Sequence, residues 1–396
     1  MKVACVGGGP ASLYFSILMK RVDPSHEITV YERYPAGATY GWGVTYWEEL
    51  FDYLHEVDPE SARAIGESSV RWDSWVVHVQ DRATVTVEHG DEGFGVGRQR
   101  MLDILAERAR DLGVDIAYEH EITPETEFAD ADLVVAADGI NSVLRERHAE
   151  HFGTEVSVGR NMYMWLGTTK ALDAFTFVFT ETPHGWIWGY GYGYDSGHST
   201  FIVECAPDTW RGLGFDTAGE ADGLALLEKL FAEVLDGHPL IARSEAGGSA
   251  RWLNFRTLTN RRWYRDNVVL LGDAAHTTHF SIGAGTALAL GDAAYLVEAL
   301  HSATDLDAAL ARYERERRAA IRVSQRAARR SARWYESVPR YVNLPPRQLI
   351  ALLNERHSAV LPYVPPRLYY VTGQTAGTLA WLASCLIPGR RRRTSG

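Results

Sequence analysis

The sequence predicts an α/β fold in which a parallel-sheet domain is interrupted by an antiparallel β-sheet domain and followed by a helical C-terminal region. Three observations support this fold class. A short apolar strand, a glycine-rich turn and a periodic helix open the chain, the middle is rich in β patterns, and helical spacing dominates after residue 306. At 396 residues the chain also exceeds the roughly 250–300 residues at which one hydrophobic core stops growing. We therefore expect at least two domains.

The first 32 residues predict a Rossmann-like β-α-β unit. Residues 2–6 are apolar, 11–21 have helical spacing, and 27–32 form a second strand. In the glycine-rich turn, Gly7 allows a tight turn, Gly9 lets a pyrophosphate approach the backbone, and Ser12 stands where the G-x-G-x-x-G pattern has its third glycine. The alternative is a purely structural glycine turn. The candidate dinucleotide contacts of this unit are Gly7, Gly9, Pro10, Ala11, Ser12, the acid Glu32 that ends the second strand, and Arg33.

The later elements alternate between the two predicted domains. Residues 76–80 and 84–88 predict an antiparallel hairpin, and 98–112 an amphipathic helix. Between residues 159 and 262 the pattern is mainly β, with one helix at 221–235. The predicted division is a first domain of residues 1–70, 94–155 and 262–305, a substrate domain of 71–93 and 156–261, and a helical region of 306–396.

Two more motifs follow buried strands. Residues 272–276 (GDAAH) come after the strand 268–271, and Asp138-Gly139 after the strand 133–136. A plain alternative is that each aspartate caps a helix after its strand. Taken with the glycine turn, these motifs resemble the single-component (class A) FAD-dependent aromatic hydroxylases, the group typified by para-hydroxybenzoate hydroxylase.

Further segments are similar to the salicylyl-CoA and anthraniloyl-CoA hydroxylase subgroup and its tropone- and tryptophan-pigment relatives. The similarity extends over most of residues 1–310. The segments are 40–44 (YGWGV), 95–105, 165–168 (WLGT), 173–177 (DAFTF), 184–186 (HGW) and 276–286 (HTTHFSIGAGT). Phe280 and Ala287 stand where the wider family has Pro and Asn.

The resemblance implies an FAD-binding domain and a monooxygenase that uses NAD(P)H and O₂ to hydroxylate an aromatic substrate through a flavin C4a-hydroperoxide. It implies that Asp273 binds the ribityl chain and that Arg98 contacts the phosphate side of the flavin. Asp138 and Gly139 would lie near the pyrophosphate and the nicotinamide path. The remaining implied cofactor contacts are Trp42, Gly43, Gly283, Ala284 and Gly285. The expected substrate is an aryl-CoA thioester, salicylyl-like or tropone-like, and the alternative is a free aromatic or indole intermediate.

Residues 186–194 alternate aromatic and small side chains, so their aromatic rings share one face of a strand. That face is either a wall of the substrate or flavin site, or a sheet face packed on a helix. The candidate substrate contacts are Trp165, Trp186, Trp188, Tyr192 and Phe280. His279 and Tyr190 are the candidate catalytic residues, and we identify no dedicated base.

Charge is distributed unevenly along the chain. The formal net charge is −11, with 23 basic and 47 acidic residues before residue 312 and 17 Arg against four acids from residue 312 onwards. Nine of those Arg lie within 312–333. They form either a solvated helix face that pairs with the acidic body, or a dock for the phosphates of coenzyme A, which suit the fork geometry of Arg.

Composition excludes other classes of protein. Cys5, Cys205 and Cys385 are too few and too widely spaced for a disulfide framework or a CxxC metal site, and we expect no metal. With no signal peptide and no apolar stretch near 20 residues, we expect a cytoplasmic protein that binds no membrane, as a monomer or homodimer. The acidic balance argues against nucleic acid as a partner.

Two rival functions share the glycine turn. A flavin halogenase has a W-x-W-x-I-P motif, but here Tyr190-Gly191 stands at the Ile-Pro positions after Trp186 and Trp188. A binding protein that has lost its flavin would not need the intact motif at 272–276. We therefore expect an enzyme.

Overall fold

The computed structural model describes residues 1–372, apart from 39–40, 83, 127 and 243–249 and the side chains of 89–91. The predictions that concern Tyr40, Cys385 and the Arg-rich end of the chain lie outside the described residues. Within them, no helix combines the length and the apolar composition that crossing a membrane requires.

The chain forms fifteen strands and twelve α-helices within the described residues. The strands are β1 (Lys2–Val6), β2 (Glu27–Tyr31), β3 (Gly43–Trp47), β4 (Ser69–Val79), β5 (Val85–Gly97), β6 (Asp115–Ala117), β7 (Leu133–Ala136), β8 (Glu155–Thr168), β9 (Phe175–Thr182), β10 (Gly185–Gly193), β11 (Ser199–Cys205), β12 (Leu240–Ile241), β13 (Leu253–Thr259), β14 (Tyr264–Arg265) and β15 (Val268–Leu270). The helices are α1 (Pro10–Val22), α2 (Glu48–Val57), α3 (Pro59–Glu67), α4 (Arg98–Asp111), α5 (Val143–Arg147), α6 (Ala149–Phe152), α7 (Pro207–Gly212), α8 (Glu220–Leu230), α9 (Ala232–Leu235), α10 (Gly285–Ser302), α11 (Leu306–Tyr335) and α12 (Pro346–Asn354).

The first sheet has six strands in the order β14-β15-β7-β1-β2-β6, and every pair except β14–β15 is parallel. Its strands are apolar because both faces are covered. Val30, Val135 and Leu270 are fully buried, and α1 packs against α4 and α10. The predicted β-α-β unit is therefore confirmed, with β1 and β2 paired in parallel, and β7 and β15 follow on the other side of β1.

The second sheet has nine strands, in the order β12-β8-β11-β10-β9-β4-β5-β3 with β13 on β8. All of its pairs are antiparallel except β4 with β9. β4 and β9 can pair in parallel because they are far apart in sequence: between them the chain also forms β6 and β7 of the first sheet. The predicted boundaries at 70/71 and 93/94 fall inside β4 and β5, which are longer than the hairpin expected at 76–88, so the division into domains stays a proposal. The helix predicted at 221–235 is confirmed but divides into α8 and α9 at Phe231.

The helical C-terminal region is part of two of the three hydrophobic cores. Leu310 and Ile321 of α11 are buried with the helices of the first sheet. Trp334 and Tyr335, at the other end of α11, are buried with the aromatic face of the second sheet. The long helix therefore connects the two sheets.

Candidate active site

The glycine turn leaves bare backbone at the start of α1. Gly7 has φ +99°, and a Cβ there would lie 2.6 Å from the carbonyl oxygen of Ala137, so only glycine fits. A Cβ at Gly9 would meet nothing within 4 Å, which leaves open space beside the helix N-terminus. Ser12 is buried and donates a hydrogen bond to the carbonyl oxygen of Gly7. The turn thus has the shape that an anion needs to approach backbone N–H groups.

Glu32 holds the same turn from the end of β2. Its carboxylate accepts hydrogen bonds from the backbone N–H of Gly8 at 2.6 Å and of Tyr34 at 2.9 Å. A carboxylate has about four acceptor positions, so these bonds leave capacity for a ribose hydroxyl. Arg33 is exposed beside it and lies over the ring of Tyr34 at 4.9 Å.

Asp273 and Arg98 face each other across the next part of the cleft. Asp273 is exposed at the cleft surface, yet the surrounding protein raises the pKa of its carboxyl, while His276 and Arg98 lower it. Burial likewise lowers the pKa of Arg98, and the nearby Asp273 raises it. Among the described residues, neither the short helical turn that contains Asp273 nor α10 after it has a side-chain N-cap hydrogen bond, so Asp273 makes none there. The capping alternative therefore does not account for this residue.

Asp138, in contrast, accepts a hydrogen bond from the start of a helix. Its Oδ2 accepts from the N–H of Val143 at 2.7 Å, at the start of α5, as the capping alternative predicts. Burial raises the pKa of this carboxyl. Gly139 next to it has φ +79°, and a Cβ there would meet nothing within 4 Å. Asp138 shapes the loop while Gly139 leaves its surface open.

A buried arginine links these two motifs. Arg145 on α5 donates to the carbonyl oxygens of Ile140 at 2.6 Å and Ala274 at 3.2 Å. Its side chain is about 1% exposed. The loops after β7 and β15 are therefore held at a fixed separation.

The last glycine segment lies next to β3. Gly283 has φ +62°, and a Cβ there would lie 2.9 Å from Oγ1 of Thr45. A Cβ at Gly285 would meet open space, and Ala284 precedes α10 as its N-cap. Nearby, the ring of Trp42 packs against Gly167, and the carbonyl oxygen of Gly43 accepts from the hydroxyl of Tyr192 at 3.0 Å.

These residues fit an FAD molecule. Gly9, Gly139 and Asp273 follow β1, β7 and β15, three adjacent strands whose carboxyl ends share one edge of the parallel sheet. That edge is where open α/β sheets bind ligands. Bare glycine backbone, a helix N-terminus and the Arg98–Asp273 pair supply contacts for phosphate and hydroxyl groups. The role of each residue toward FAD stays a prediction.

The aromatic face of β10 is covered by protein. Trp188 and Tyr190 lie against Tyr335 of α11, with ring centroids 6.4 and 6.1 Å apart. Trp186 and Tyr192 are also buried. The helix-packed alternative therefore describes most of this face, and none of these four aromatic side chains lines the two cavities described next.

A main cavity of about 270 Å³ lies between the second sheet and α11. His279 lines it, with Phe255 of β13 and Arg329 and Arg333 of α11. A smaller chamber of about 10 Å³ adjoins it and is lined by Phe280 and Tyr163, whose rings are 4.7 Å apart, among others. Trp165 lies elsewhere, with its ring against Gly41. Of the predicted substrate contacts, the structure brings only Phe280 to these cavities.

His279 is held by a chain of hydroxyl groups. Its Nδ1 lies 2.8 Å from Oγ of Ser281, which lies 2.7 Å from Oγ of the buried Ser331 on α11. Burial lowers the pKa of His279 to about 3, so the imidazole is neutral at physiological pH. Tyr190 is also buried, its hydroxyl has no hydrogen-bond partner among the described residues, and burial raises its pKa well above 10. The catalytic roles of both residues stay predictions.

Glu204 is a residue that the sequence reasoning missed. It is about 2% exposed on β11 and lines the small chamber. The available signal was an acid inside the apolar run of residues 201–205, because glutamate is seldom buried without a partner.

Known proteins resemble this chain in sequence and in structure. The family model described as FAD binding domain matches residues 1–329. A salicyloyl-CoA 5-hydroxylase from Streptomyces sp is 38% identical over 358 residues, covering 86% of this chain and 66% of the relative. A 3-hydroxy-4-methyl-anthranilyl-[aryl-carrier protein] 5-monooxygenase from Streptosporangium sibiricum is 36% identical, covering 86% of this chain and 90% of the relative.

The crystal structure of a 2-methyl-3-hydroxypyridine-5-carboxylic acid oxygenase shares the fold. It superposes with a TM-score of 0.69 at 18% identity, covering 93% of this chain and 95% of the other. The family model spans the glycine turn, the loops after β7 and β15, and α10, which are the elements that build the cleft. The chain therefore belongs to the FAD-binding family of FAD-dependent aromatic hydroxylases.

Proposed function

We propose that the protein hydroxylates an aromatic acyl group carried as a coenzyme A thioester, with FAD as cofactor and NAD(P)H and O₂ as co-substrates. Bound FAD, once reduced, supplies the activated oxygen. The chain itself must hold the ring, exclude water and position the proton of a ring substituent. The names of the two relatives, one acting on a CoA thioester and one on a carrier-linked acyl group, agree with a tethered substrate.

The observation that carries the proposal is an arginine stripe on α11. Arg322, Arg326, Arg329 and Arg333 follow i, i+4, i+7, i+11 spacing, which places them on one face of the helix. All four are exposed, and none forms an ion pair with another described residue.

The first half of the same helix differs. Arg312 pairs with Glu298 and Glu316, Arg317 with Asp292, and Arg318 with Glu314. The expectation of a helix face that pairs with acidic residues thus describes the first half of α11, whereas the arginine stripe, unpaired among the described residues, lies on its second half. Arg329 and Arg333, the last two residues of the stripe, line the main cavity. An acyl group bound in this cavity would therefore place its anionic coenzyme A tether along the stripe.

The test compares salicyloyl-CoA with salicylate as substrates of the FAD-loaded enzyme. In the double variant Arg329→Gln/Arg333→Gln we expect the KM for the thioester to rise about tenfold or more, since each 1.4 kcal/mol lost is a factor of ten. The KM for salicylate should change little. Arg315→Gln is the matched control, because Arg315 is on the same helix but pairs with Glu316.

An unchanged ratio of the two KM values in the double variant would refute the coenzyme A tether. A wild-type enzyme that hydroxylates free aromatic or indole compounds but no thioester would support the alternative substrate class. Product mass and NAD(P)H consumption measured across both panels distinguish these results.

A further inference from the structure

Glu204 is a carboxyl group buried in an apolar sheet. On β11 it shares a face with Ile202, and across the sheet it pairs with Trp188 of β10 and Tyr163 of β8. Only about 2% of it is exposed. Such a position is costly for an acid unless something compensates it.

The hydrogen bonds of this carboxyl are incomplete. Its Oε1 accepts from Nδ2 of Asn161 at 2.7 Å. Its Oε2 is buried and makes no hydrogen bond of full geometry among the described residues, although the indole N–H of the cross-strand neighbour Trp188 faces the carboxyl and lowers its pKa. A buried acceptor without a complete hydrogen bond costs about 1–3 kcal/mol, so Oε2 has capacity for a hydrogen bond from a bound group.

The small chamber next to Glu204 has the size of one small polar group. Glu204 lines it together with His279 and Phe280, and its volume of about 10 Å³ is near that needed for one water-sized group. His279 and Phe255 also line the main cavity, so the two spaces adjoin. An aromatic ring in the main cavity would direct a hydroxyl or amino substituent toward Oε2.

We propose that Glu204 is a catalytic residue that accepts the proton of a hydroxyl or amino substituent on the substrate ring, an inference that rests on the proposed function. The O–H or N–H bond of the substituent breaks, and its electron pair enriches the ring that receives the oxygen atom. The proton passes to Oε2. NAD(P)H and one proton from solvent supply the two electrons and the hydrogen atoms that convert one atom of O₂ to water, while the other oxygen atom is added to the ring. When the attacked carbon loses its proton, the substituent recovers its own from Glu204, which returns to the carboxylate.

The acidity of Glu204 suits this role. Burial and, to a smaller extent, the charge of Glu336 raise its pKa to about 8, against the lowering effect of hydrogen bonds from Asn161 and Trp188. A proton acceptor is most efficient when its pKa lies near the working pH. The titratable groups that face it are Tyr335 at the end of α11, Glu336 just after that helix, Tyr190 of β10, Tyr163 of β8 and His279.

Three of these neighbours do not compete in that range. Burial raises the pKa of Tyr190 and of Tyr335 far above 8, and it lowers that of His279 to about 3. Glu336 is half-buried, lines both cavities and accepts from the backbone N–H of Arg160 at 2.9 Å. Glu204 is the more deeply buried of the two carboxyl groups and lines only the small chamber.

The experiment uses Glu204→Gln in the FAD-loaded enzyme with salicyloyl-CoA. Glutamine keeps the shape and the bond from Asn161 but accepts no proton. In the wild type, product formation should rise with pH up to about 8 and then level off. In the variant we expect product to fall about 100-fold without that rise. Substrate should still stimulate NAD(P)H oxidation, with the electrons recovered as hydrogen peroxide.

Two further variants make the result specific. Glu204→Asp keeps a carboxyl group and should recover part of the pH-dependent rise. Glu181→Gln removes an exposed acid of β9 and should behave as wild type. A Glu204→Gln enzyme that keeps wild-type coupling, or only a raised KM with the same pH profile, overturns the role of Glu204. A wild type that hydroxylates none of the substrates refutes the proposed function instead.

Discussion

Nε of Arg317 on α11 lies 2.5 Å from Oδ1 of Asp292 on α10, and both side chains are buried. The second oxygen of Asp292 accepts from Nε2 of His276 at 2.8 Å and from the backbone N–H of Gly272 at 3.1 Å. Burial by itself raises the pKa of Asp292, but His276 and Arg317 together lower it. The long helix therefore stabilises the loop that presents Asp273 to the cofactor cleft.

Replacing Arg317 by methionine should destabilise the protein. Removal of one partner leaves a buried carboxylate uncompensated, which costs about 3–5 kcal/mol. Urea unfolding followed by circular dichroism measures the loss. Arg315→Met, which breaks an exposed pair with Glu316, should cost less than about 1 kcal/mol. If both substitutions lowered the free energy of unfolding by the same amount, the buried pair would stabilise the protein no more than the exposed one.

Alanine at Gly9 should separate FAD binding from folding. The added Cβ meets nothing within 4 Å, so the apoprotein should keep its free energy of unfolding within about 1 kcal/mol. A pyrophosphate in that space would be displaced, and the Kd for FAD should rise about tenfold. Flavin fluorescence titration measures the Kd. Gly7→Ala is the contrasting variant, because its Cβ would clash with Ala137 and lower the stability of the apoprotein itself. FAD binding by Gly9→Ala as tight as in the wild type would argue against the turn as the pyrophosphate site.

His279 should make the protein sensitive to acid. Its pKa is about 3 when folded against an ordinary value of 6.5, so between these values the unfolded chain binds a proton that the folded chain does not. Stability is then complete above pH 6.5 and is lost as the pH falls toward about 3, by at most about 5 kcal/mol. His279→Gln should flatten the curve of unfolding free energy against pH. The exposed His301→Gln serves as control, and a parallel loss of stability in His279→Gln and wild type would refute the assignment.

Glu204 should act on stability in the opposite pH range. Its pKa rises from 4.5 to about 8 on folding, so between these values the folded chain keeps a proton that the unfolded chain has released. The free energy of unfolding is therefore highest, as far as Glu204 is concerned, below pH 4.5, and it decreases as the pH rises to about 8. Above that pH, Glu204→Gln should be more stable than the wild type by about 2–4 kcal/mol. Thermal unfolding at a series of pH values provides the comparison. A variant less stable than wild type throughout would indicate that the carboxyl is mainly structural.

The motifs near the cofactor cleft were predictable because each is local in sequence. Gly7 and Gly9 sit in one turn, and that turn needs only a strand before it and a helix after it. The same holds for the loops at Asp138 and Asp273. Hydrophobic periodicity likewise identified α4 and most strands of both sheets, but it missed β3, β12, β13 and β14. Element limits were less accurate, because the hairpin of β4 and β5 extends well beyond its alternating residues.

Contacts between distant segments were not predictable in this way. Asp292 and Arg317 are 25 residues apart, and nothing in their local sequence shows that both are buried. The aromatic residues of β10 have the correct strand period, but periodicity does not reveal that α11 covers them. For Glu204 the burial comes from β8, β10 and the segment at His279 together, which only the folded chain assembles.

The helix α11 has a consequence for how the molecule unfolds. At 30 residues it extends about 45 Å, with Leu310 in the core beside the first sheet and Tyr335 in the core on the aromatic face of the second sheet. Neither core is complete without it. Loss of one sheet should therefore expose part of the other, and calorimetry should record a single cooperative transition rather than two. For the same reason, a ligand that stabilises the end of α11 at the main cavity should also increase the affinity for FAD at the other end of the helix.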